Sequence, residues 1–180
     1  MSKLVVTTFL SLDGIMEEPR WSMSYWNDQI SDFKLKELFA SDSQLLGRVT
    51  YEGFAQAWPS QTDEAGFGDR MNNMPKYVVS TTLKQADWNN SHTISDNVVE
   101  EIQKLKAQPG GDILVGGSAT LIQTLIKHDL VDEYHILLYP VVLGSGKRLF
   151  HEGTTATVKL IEARPIGSGV TLLIYEPDRK

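Results

Sequence analysis

The sequence predicts an α/β protein: a mostly parallel central sheet flanked by helices, with an antiparallel C-terminal hairpin. Three observations carry this. The apolar run Ile113, Leu114 and Val115 stops at Gly116-Gly117 and is followed by a pattern of helical period, Leu121, Ile122, Leu125 and Ile126; a buried strand passes into a helix through a tight turn. Other short β-rich runs alternate with helical patterns along the chain, as parallel strands joined by crossovers do. Finally, residues 158–164 and 170–176 flank Pro165-Ile-Gly-Ser-Gly169, a hairpin signal.

Taken in order, residues 4–10 are apolar and β-rich and form a central strand, broken by Ser11-Leu-Asp-Gly14. Residues 16–27 carry Trp21, Tyr25, Trp26 and two methionines, unusual for a plain loop. Residues 28–39 have helical period through Ile30, Phe33, Leu35, Leu38 and Phe39. Residues 43–46 form a short strand ending at Gly47, and residues 50–57 begin a helix with Thr50 as its N-cap. Residues 58–75 read as a long polar loop. Residues 77–79 are a strand stopped by Ser80-Thr-Thr82. Asp96 caps a helix running to about Lys106, which Pro109-Gly-Gly111 ends. Residues 133–139 are a strand, and Pro140 limits how it pairs. With no internal repeat and no low-complexity linker, residues 1–180 read as a single domain.

Composition narrows the function classes. The net charge is −6 with acids and bases interspersed, which argues against nucleic-acid binding. There is no cysteine, hence no disulfide, thiolate metal site or cysteine nucleophile. No run reaches membrane-spanning length and the N-terminus lacks a signal peptide's apolar core, so a cytoplasmic protein without a membrane partner is expected. His92, His128, His135 and His151 lack zinc-ligand spacing; each reads as a surface or strand residue, and no metal is expected.

Several phosphate and nucleophile motifs fail. Gly146-Lys147 lacks the earlier glycine (Val141 stands there) and the following Ser or Thr (Arg148) of a P-loop. No G-x-G-x-x-G follows a strand, and Thr120 replaces the last glycine of a nucleophile elbow after Ser118. Three strand ends remain: Gly47-Arg48-Val49-Thr50, Ser80-Thr81-Thr82 and Gly116-Gly117-Ser118-Ala119-Thr120. Ligands of open α/β sheets sit at such ends. A helix start offers unpaired N–H groups and a positive dipole end, and glycine lets a phosphate come close. Arg48 adds a planar fork for a phosphate. The plain alternative is a set of capping residues and a surface arginine.

Together these segments resemble the dihydrofolate reductase fold, in the branch shared with the reductase domain of bacterial riboflavin biosynthesis. Ser11-Leu-Asp-Gly14, Leu46-Gly-Arg-Val-Thr-Tyr-Glu52, Pro75-Lys-Tyr-Val-Val-Ser-Thr-Thr-Leu83 and Leu114-Val-Gly-Gly-Ser-Ala-Thr-Leu121 fall in that family's order and spacing. Val131-Asp-Glu-Tyr-His-Ile136 and Pro140-Val-Val-Leu-Gly-Ser-Gly-Lys-Arg-Leu-Phe150 are closer to the riboflavin branch. The resemblance covers nearly the whole chain.

It implies NADPH binding. Gly47, Arg48 and Thr50 would hold the adenosine-phosphate side and the pyrophosphate, with Arg48 favouring the 2′-phosphate. Ser80 and Thr81 would contact the adenine ribose phosphate. Gly116, Gly117, Ser118, Ala119, Thr120 and Leu121 would present backbone N–H groups to the pyrophosphate, and Thr8 and Phe9 would lie near the nicotinamide. Asp13 would be the catalytic, substrate-side polar group; its plain role is to cap the turn before Gly14. Residues 15–26 would act as a lid, with Met16 and Trp26 on the substrate; the plain reading is a satellite hydrophobic cluster. The carboxylate that dihydrofolate reductases carry after the lid falls on Gln29, beside Asp28 and Asp32, and no zinc deaminase signature accompanies the domain. The expected function is thus an NADPH-dependent oxidoreductase resembling 5-amino-6-(5-phosphoribosylamino)uracil reductase, passing hydride to a small heterocyclic, carbonyl or imine compound. Dihydrofolate or pteridine reduction, and nucleotide binding without catalysis, are the alternatives. A homodimer through the C-terminal strands is expected from the resemblance; residues 139–143 are apolar enough to contribute, and their plain reading is core.

Overall fold

Leu4, Val6 and Leu10 alternate along β1 (Leu4–Leu10) with Val5, Thr7 and Phe9, and both sets are buried or nearly so. A strand covered on both faces must be central. In the computed structural model, which describes residues 1–180, β1 lies inside an eight-stranded sheet. Its neighbours are β5 (Asp112–Val115) and β6 (Glu133–Leu138), both parallel to it, with Val6 opposite Val115 and Thr7 opposite His135. β2 (Ser41–Gly47), β3 (Lys76–Val79) and β4 (Ser91–Ile94) extend the parallel part beyond β5. β8 (Thr171–Pro177) and β7 (Val158–Pro165) close the other side as the expected antiparallel hairpin. The order across the sheet is β4-β3-β2-β5-β1-β6-β8-β7.

Helices cover both faces. α1 (Asp28–Ala40), α2 (Arg48–Ala57) and α3 (Phe67–Asn73) pack on the face that carries Val5, Leu46, Val78 and Leu137. α4 (Val98–Ala107) and α5 (Ala119–Lys127) pack on the opposite face, over Leu4, Val6, Val115 and Ile136. Asn27 starts α1, its side chain accepting from the N–H groups of Gln29 and Ile30 at 2.9 and 3.0 Å.

Three local expectations are corrected, and one strand was not foreseen. α2 starts at Arg48, with Gly47 in the N-cap position and no side-chain cap, so Thr50 lies inside the first turn. The stretch 58–75 is not one loop: the Asp63 carboxylate accepts from Phe67 N and Gly68 N at 3.0 and 2.7 Å and starts α3, whose Met71 is buried. Asn97, not Asp96, precedes α4, in left-handed backbone; the Asp96 carboxylate takes the Ser95 hydroxyl instead. β4 carries no apolar pattern, because only Ile94 of it is buried. The aromatic stretch forms a short 3-10 turn, Pro19–Tyr25. Trp21 and Tyr25 meet Tyr139 edge-on at 5.3 and 5.7 Å between centroids, pairs that contribute about 0.5–1.5 kcal/mol each beyond area burial.

Candidate active site

Because the strands from β4 to β6 are all parallel, their carboxyl ends share one edge of the sheet. Along that edge lie Ser80 after β3, Gly47 at the end of β2, Gly116 after β5, Ser11 after β1 and Tyr139 after β6. Thus the three strand ends singled out in the sequence come to adjacent positions.

Two of them touch through backbone. Gly47 N donates to Gly117 O at 3.0 Å. A Cβ on Gly47 would stand 2.9 Å from Ser118 Cβ and 3.0 Å from Ser118 N, where no side chain fits. One on Gly117, whose φ is +148°, would stand 2.7 Å from Thr50 Oγ1. Thr50 therefore faces the glycine turn instead of capping its helix. The N–H groups of Gly116, Gly117 and Ser118 donate to no acceptor in the protein, while the Ser118 hydroxyl caps α5 by accepting from Leu121 N at 3.3 Å. Unpaired donors at a helix start favour an anion. Ala119 and Leu121 turn their side chains into the core and Thr120 stays exposed.

Around this junction, exposed Arg48 pairs with Glu52 at 3.0 Å, an i,i+4 contact worth little that an incoming anion can replace. The Ser80 hydroxyl accepts from Thr82 N and Leu83 N and so caps its own turn, leaving Thr81 exposed beside it. On β1, Thr8 is buried and donates to Phe9 O at 3.2 Å. Phe9 lies on the α1 face, 6.2 Å from Trp26 and 5.6 Å from Tyr139.

Asp13 is tied into a clasp. Its Oδ1 accepts from Ser11 Oγ at 2.6 Å and Leu143 N at 3.2 Å, and its Oδ2 from Gly144 N at 2.7 Å. Arg148 donates to its carbonyl. The Ser11 hydroxyl first, then the Gly144 and Leu143 amides, hold its carboxyl down to about 2, so at neutral pH it is an anion. Met16 is only 8 % exposed and belongs to the larger core cluster, whereas Trp26 is 48 % exposed and donates to Ser31 Oγ at 2.6 Å. The structure thus places Trp26 beside Phe9 and Met16 in the core.

One cluster is absent from the sequence reading. Lys34 of α1 donates to Thr7 Oγ1 at 2.8 Å and to Glu37, one helical turn on. Glu37 meets His135 Nδ1 of β6 at 2.7 Å; His135 Nε2 faces Glu133 at 3.3 Å; and Glu133 pairs with Lys3 at 3.0 Å. The side chain of Glu37 is 2 % exposed, that of Lys3 62 %. Burial opposes charge on Glu37, but Lys34 and then His135 outweigh it and its carboxyl is lowered. Burial likewise opposes charge on His135, but Glu37 and then Glu133 raise it above the ordinary histidine range. The available signals were the i,i+3 pair Lys34–Glu37 and the same-face pair Glu133–His135. Glu37 and His135 are 98 residues apart, so only folding joins them.

This architecture is that of the dihydrofolate-reductase-like α/β proteins, with a backbone junction where two parallel strands end. The chain belongs to the family of the RibD C-terminal domain, whose model matches residues 2–172. It is 34 % identical to the uncharacterized protein YyaP of Bacillus subtilis (strain 168) over 96 % of this chain and 94 % of that one. A protein of Shewanella sp. PV-4 assigned by its name to riboflavin biosynthesis has the same fold, with a TM-score of 0.79 and 23 % identity over 99 % of this chain and 100 % of that one. The dihydrofolate reductase of Enterococcus faecalis, complexed with NADP(H), matches with a TM-score of 0.64 and 14 % identity over 98 % and 97 % of the two chains.

Proposed function

We propose that this chain is an NADPH-dependent reductase of the riboflavin-biosynthesis type, acting on a small heterocycle with a reducible C=N or C=O bond. The observation that carries the reading is the junction of Gly47 with Gly116-Gly117-Ser118. Three unpaired N–H groups lie beside backbone that admits no Cβ, in a member of the RibD C-terminal domain family. A dinucleotide's pyrophosphate fits such a cradle. Gly116, Gly117 and Ser118 would hold it, Arg48 would leave Glu52 for a 2′-phosphate, and Thr81 would sit on the adenosine side. The bound dihydronicotinamide supplies the hydride. Phe9 and Trp26 would wall the reacting end and keep water out. Asp13, a fixed anion, orients the substrate side through the loop at Leu143 and Gly144 and does not give up a proton at neutral pH.

A titration of the protein with NADPH and, in parallel, NADH, followed by tryptophan quenching and energy transfer to the dihydronicotinamide, tests this. Selective binding of NADPH is expected; binding of neither overturns the reading. Asp13→Asn is expected to leave NADPH affinity within about twofold and to lower turnover of a reducible pterin or ribosylamino-pyrimidine. Unchanged turnover removes Asp13 from the mechanism. A homodimer is part of the proposal. Leu160 and Ile161 of the edge strand β7 are each at least half exposed, and adjacent apolar groups on a sheet edge favour a partner surface. A sedimentation experiment that finds only monomer removes it.

A further inference from the structure

Reduction of a C=N or C=O bond consumes a proton as well as a hydride, and the groups expected to manage it are unsuited. Gln29 has no acidic proton, and Asp13 is an anion held by three donors. Tyr139 is pushed up to about 12 by burial, which Ser22 beside its hydroxyl offsets only in part. The charged line between α1 and β6 has both a proton and a route. Lys34 has three N–H donors, of which Thr7 and Glu37 take two. Its Nζ lies 5.7 Å from the centroid of the Phe9 ring, and its side chain keeps 14 % exposure. Behind it, carboxylate and imidazole alternate, Glu37, His135, Glu133, until Lys3 meets solvent. Such a buried charged set is poor value as a stability device, since apolar residues of similar volume commonly stabilise a core as well or better.

We propose that Lys34 is the proton donor of the reduction and that Glu37, His135 and Glu133 recharge it. The inference rests on the reductase reading above. As hydride reaches the acceptor carbon, the π pair of the C=N or C=O bond moves to the heteroatom, which takes a proton from Lys34 Nζ; the N–H pair stays behind on the amine. His135 gives its Nδ1 proton to Glu37; the carboxylic acid so formed turns and gives it to that amine; and the neutral imidazole, left with its proton on Nε2, takes a new one from solvent by way of Glu133 once the ring has turned its bare nitrogen that way. The charges favour a loaded line. The groups facing His135 and its neighbours are Lys34 and Glu37 on α1, Lys3 ahead of β1, Glu133 on β6, Asp112 on β5, Asp42 on β2 and Glu176 on β8, with apolar Ile174 on β8. Carboxylates outnumber ammonium groups around the line, which favours a protonated His135. Glu37, His135 and Glu133 act through Lys34 and are positioning residues.

The test is an NMR titration of the His135 imidazole and the Lys34 Nζ resonance in the whole protein, alone, with NADPH, and with adenosine 2′,5′-bisphosphate, which lacks the nicotinamide. NADPH is expected to shift the His135 midpoint by about one pH unit and to move the Lys34 resonance, and the bisphosphate to do neither. Glu37→Gln is expected to lower the His135 midpoint and Lys34→Met to raise it, both with NADPH affinity within about twofold of the parent. Bound NADPH with Lys34 and His135 unmoved overturns the proton line and leaves the reductase reading intact. So does a His135 midpoint indifferent to both substitutions. Failure of the parent protein to bind NADPH overturns the reductase reading and the proton line together. A structural cluster would lose stability on substitution without sensing the nicotinamide.

Discussion

The glycine junction between β2 and β5 and the charged line between α1 and β6 lie on one sheet and are made of opposite materials. The junction is backbone: Gly47 and Gly117 approach so closely that side chains are excluded, and the amide N–H groups of Gly116, Gly117 and Ser118 have no acceptor in the protein. The line is side chain: Lys34, Glu37, His135 and Glu133 make nearly all of its contacts through charged tips. Backbone amides are neutral dipoles that do not titrate and are not lost when a side chain is shortened, so they suit a permanent anion such as a pyrophosphate. Side-chain charges titrate and exchange protons, so they suit a step in which a proton moves. The price of the second material is fragility, because each charge is tolerated only while its partners remain.

Breaking the line is expected to cost most. Glu37→Leu strands Lys34 and His135 without a countercharge and should lower unfolding free energy by about 3–5 kcal/mol in urea denaturation. Replacing the set together, Lys34→Met with Glu37→Leu and His135→Phe, should restore stability to within about 1 kcal/mol of the parent or above it. If the single change is harmless, the charges are not interdependent.

Breaking the junction comes next. Gly117→Ala brings a Cβ against Thr50 in a backbone region unfavourable to alanine, and should cost about 1–3 kcal/mol while weakening NADPH binding at least about tenfold. Retained affinity would mean that the turn is not the cradle.

A smaller effect separates the two materials by pH. His135 is raised in the folded protein, so its contribution is complete below the unfolded histidine value of about 6.5 and is lost as pH rises through the folded value. Glu37 is lowered, so its contribution is present above the unfolded carboxylate value and is lost as pH falls through the folded one. Thermal midpoints should therefore decline from mildly acidic toward alkaline pH, and His135→Phe combined with Lys34→Met and Glu37→Leu should flatten that slope. A slope unchanged in the triple variant would place the titrating group elsewhere.

The smallest effect is at Arg48, whose exposed pair with Glu52 adds little. Arg48→Ala should change stability by less than about 0.5 kcal/mol yet weaken NADPH about five- to tenfold more than NADH. Equal losses would argue against a 2′-phosphate contact.

How much could be read in advance follows the range of the interactions. β1, β5, α5 and the C-terminal hairpin were legible because their apolar periods and glycine or proline boundaries are local. β4 was not, since an edge strand with one buried residue carries no pattern. α3 was hidden because its start depends on Asp63 reaching over to Phe67 and Gly68, in a stretch whose composition reads as loop. Gly47 and Gly116-Gly117 could be picked out as ligand-type turns, but Thr50 was assigned to a cap that Gly47 occupies.

By itself the sequence determined the fold class, the order of most elements and the turns where a phosphate would approach, because glycine, proline and apolar spacing act within a few residues. Tertiary structure alone decided that Gly47 and Gly117 meet, that Asp13 is fastened to Leu143 and Gly144, and that Glu37 and His135 form one charged line. Hydrogen bonds and charge pairs depend on distances of about 3 Å, and residues far apart in the chain reach such distances only when the sheet sets their register.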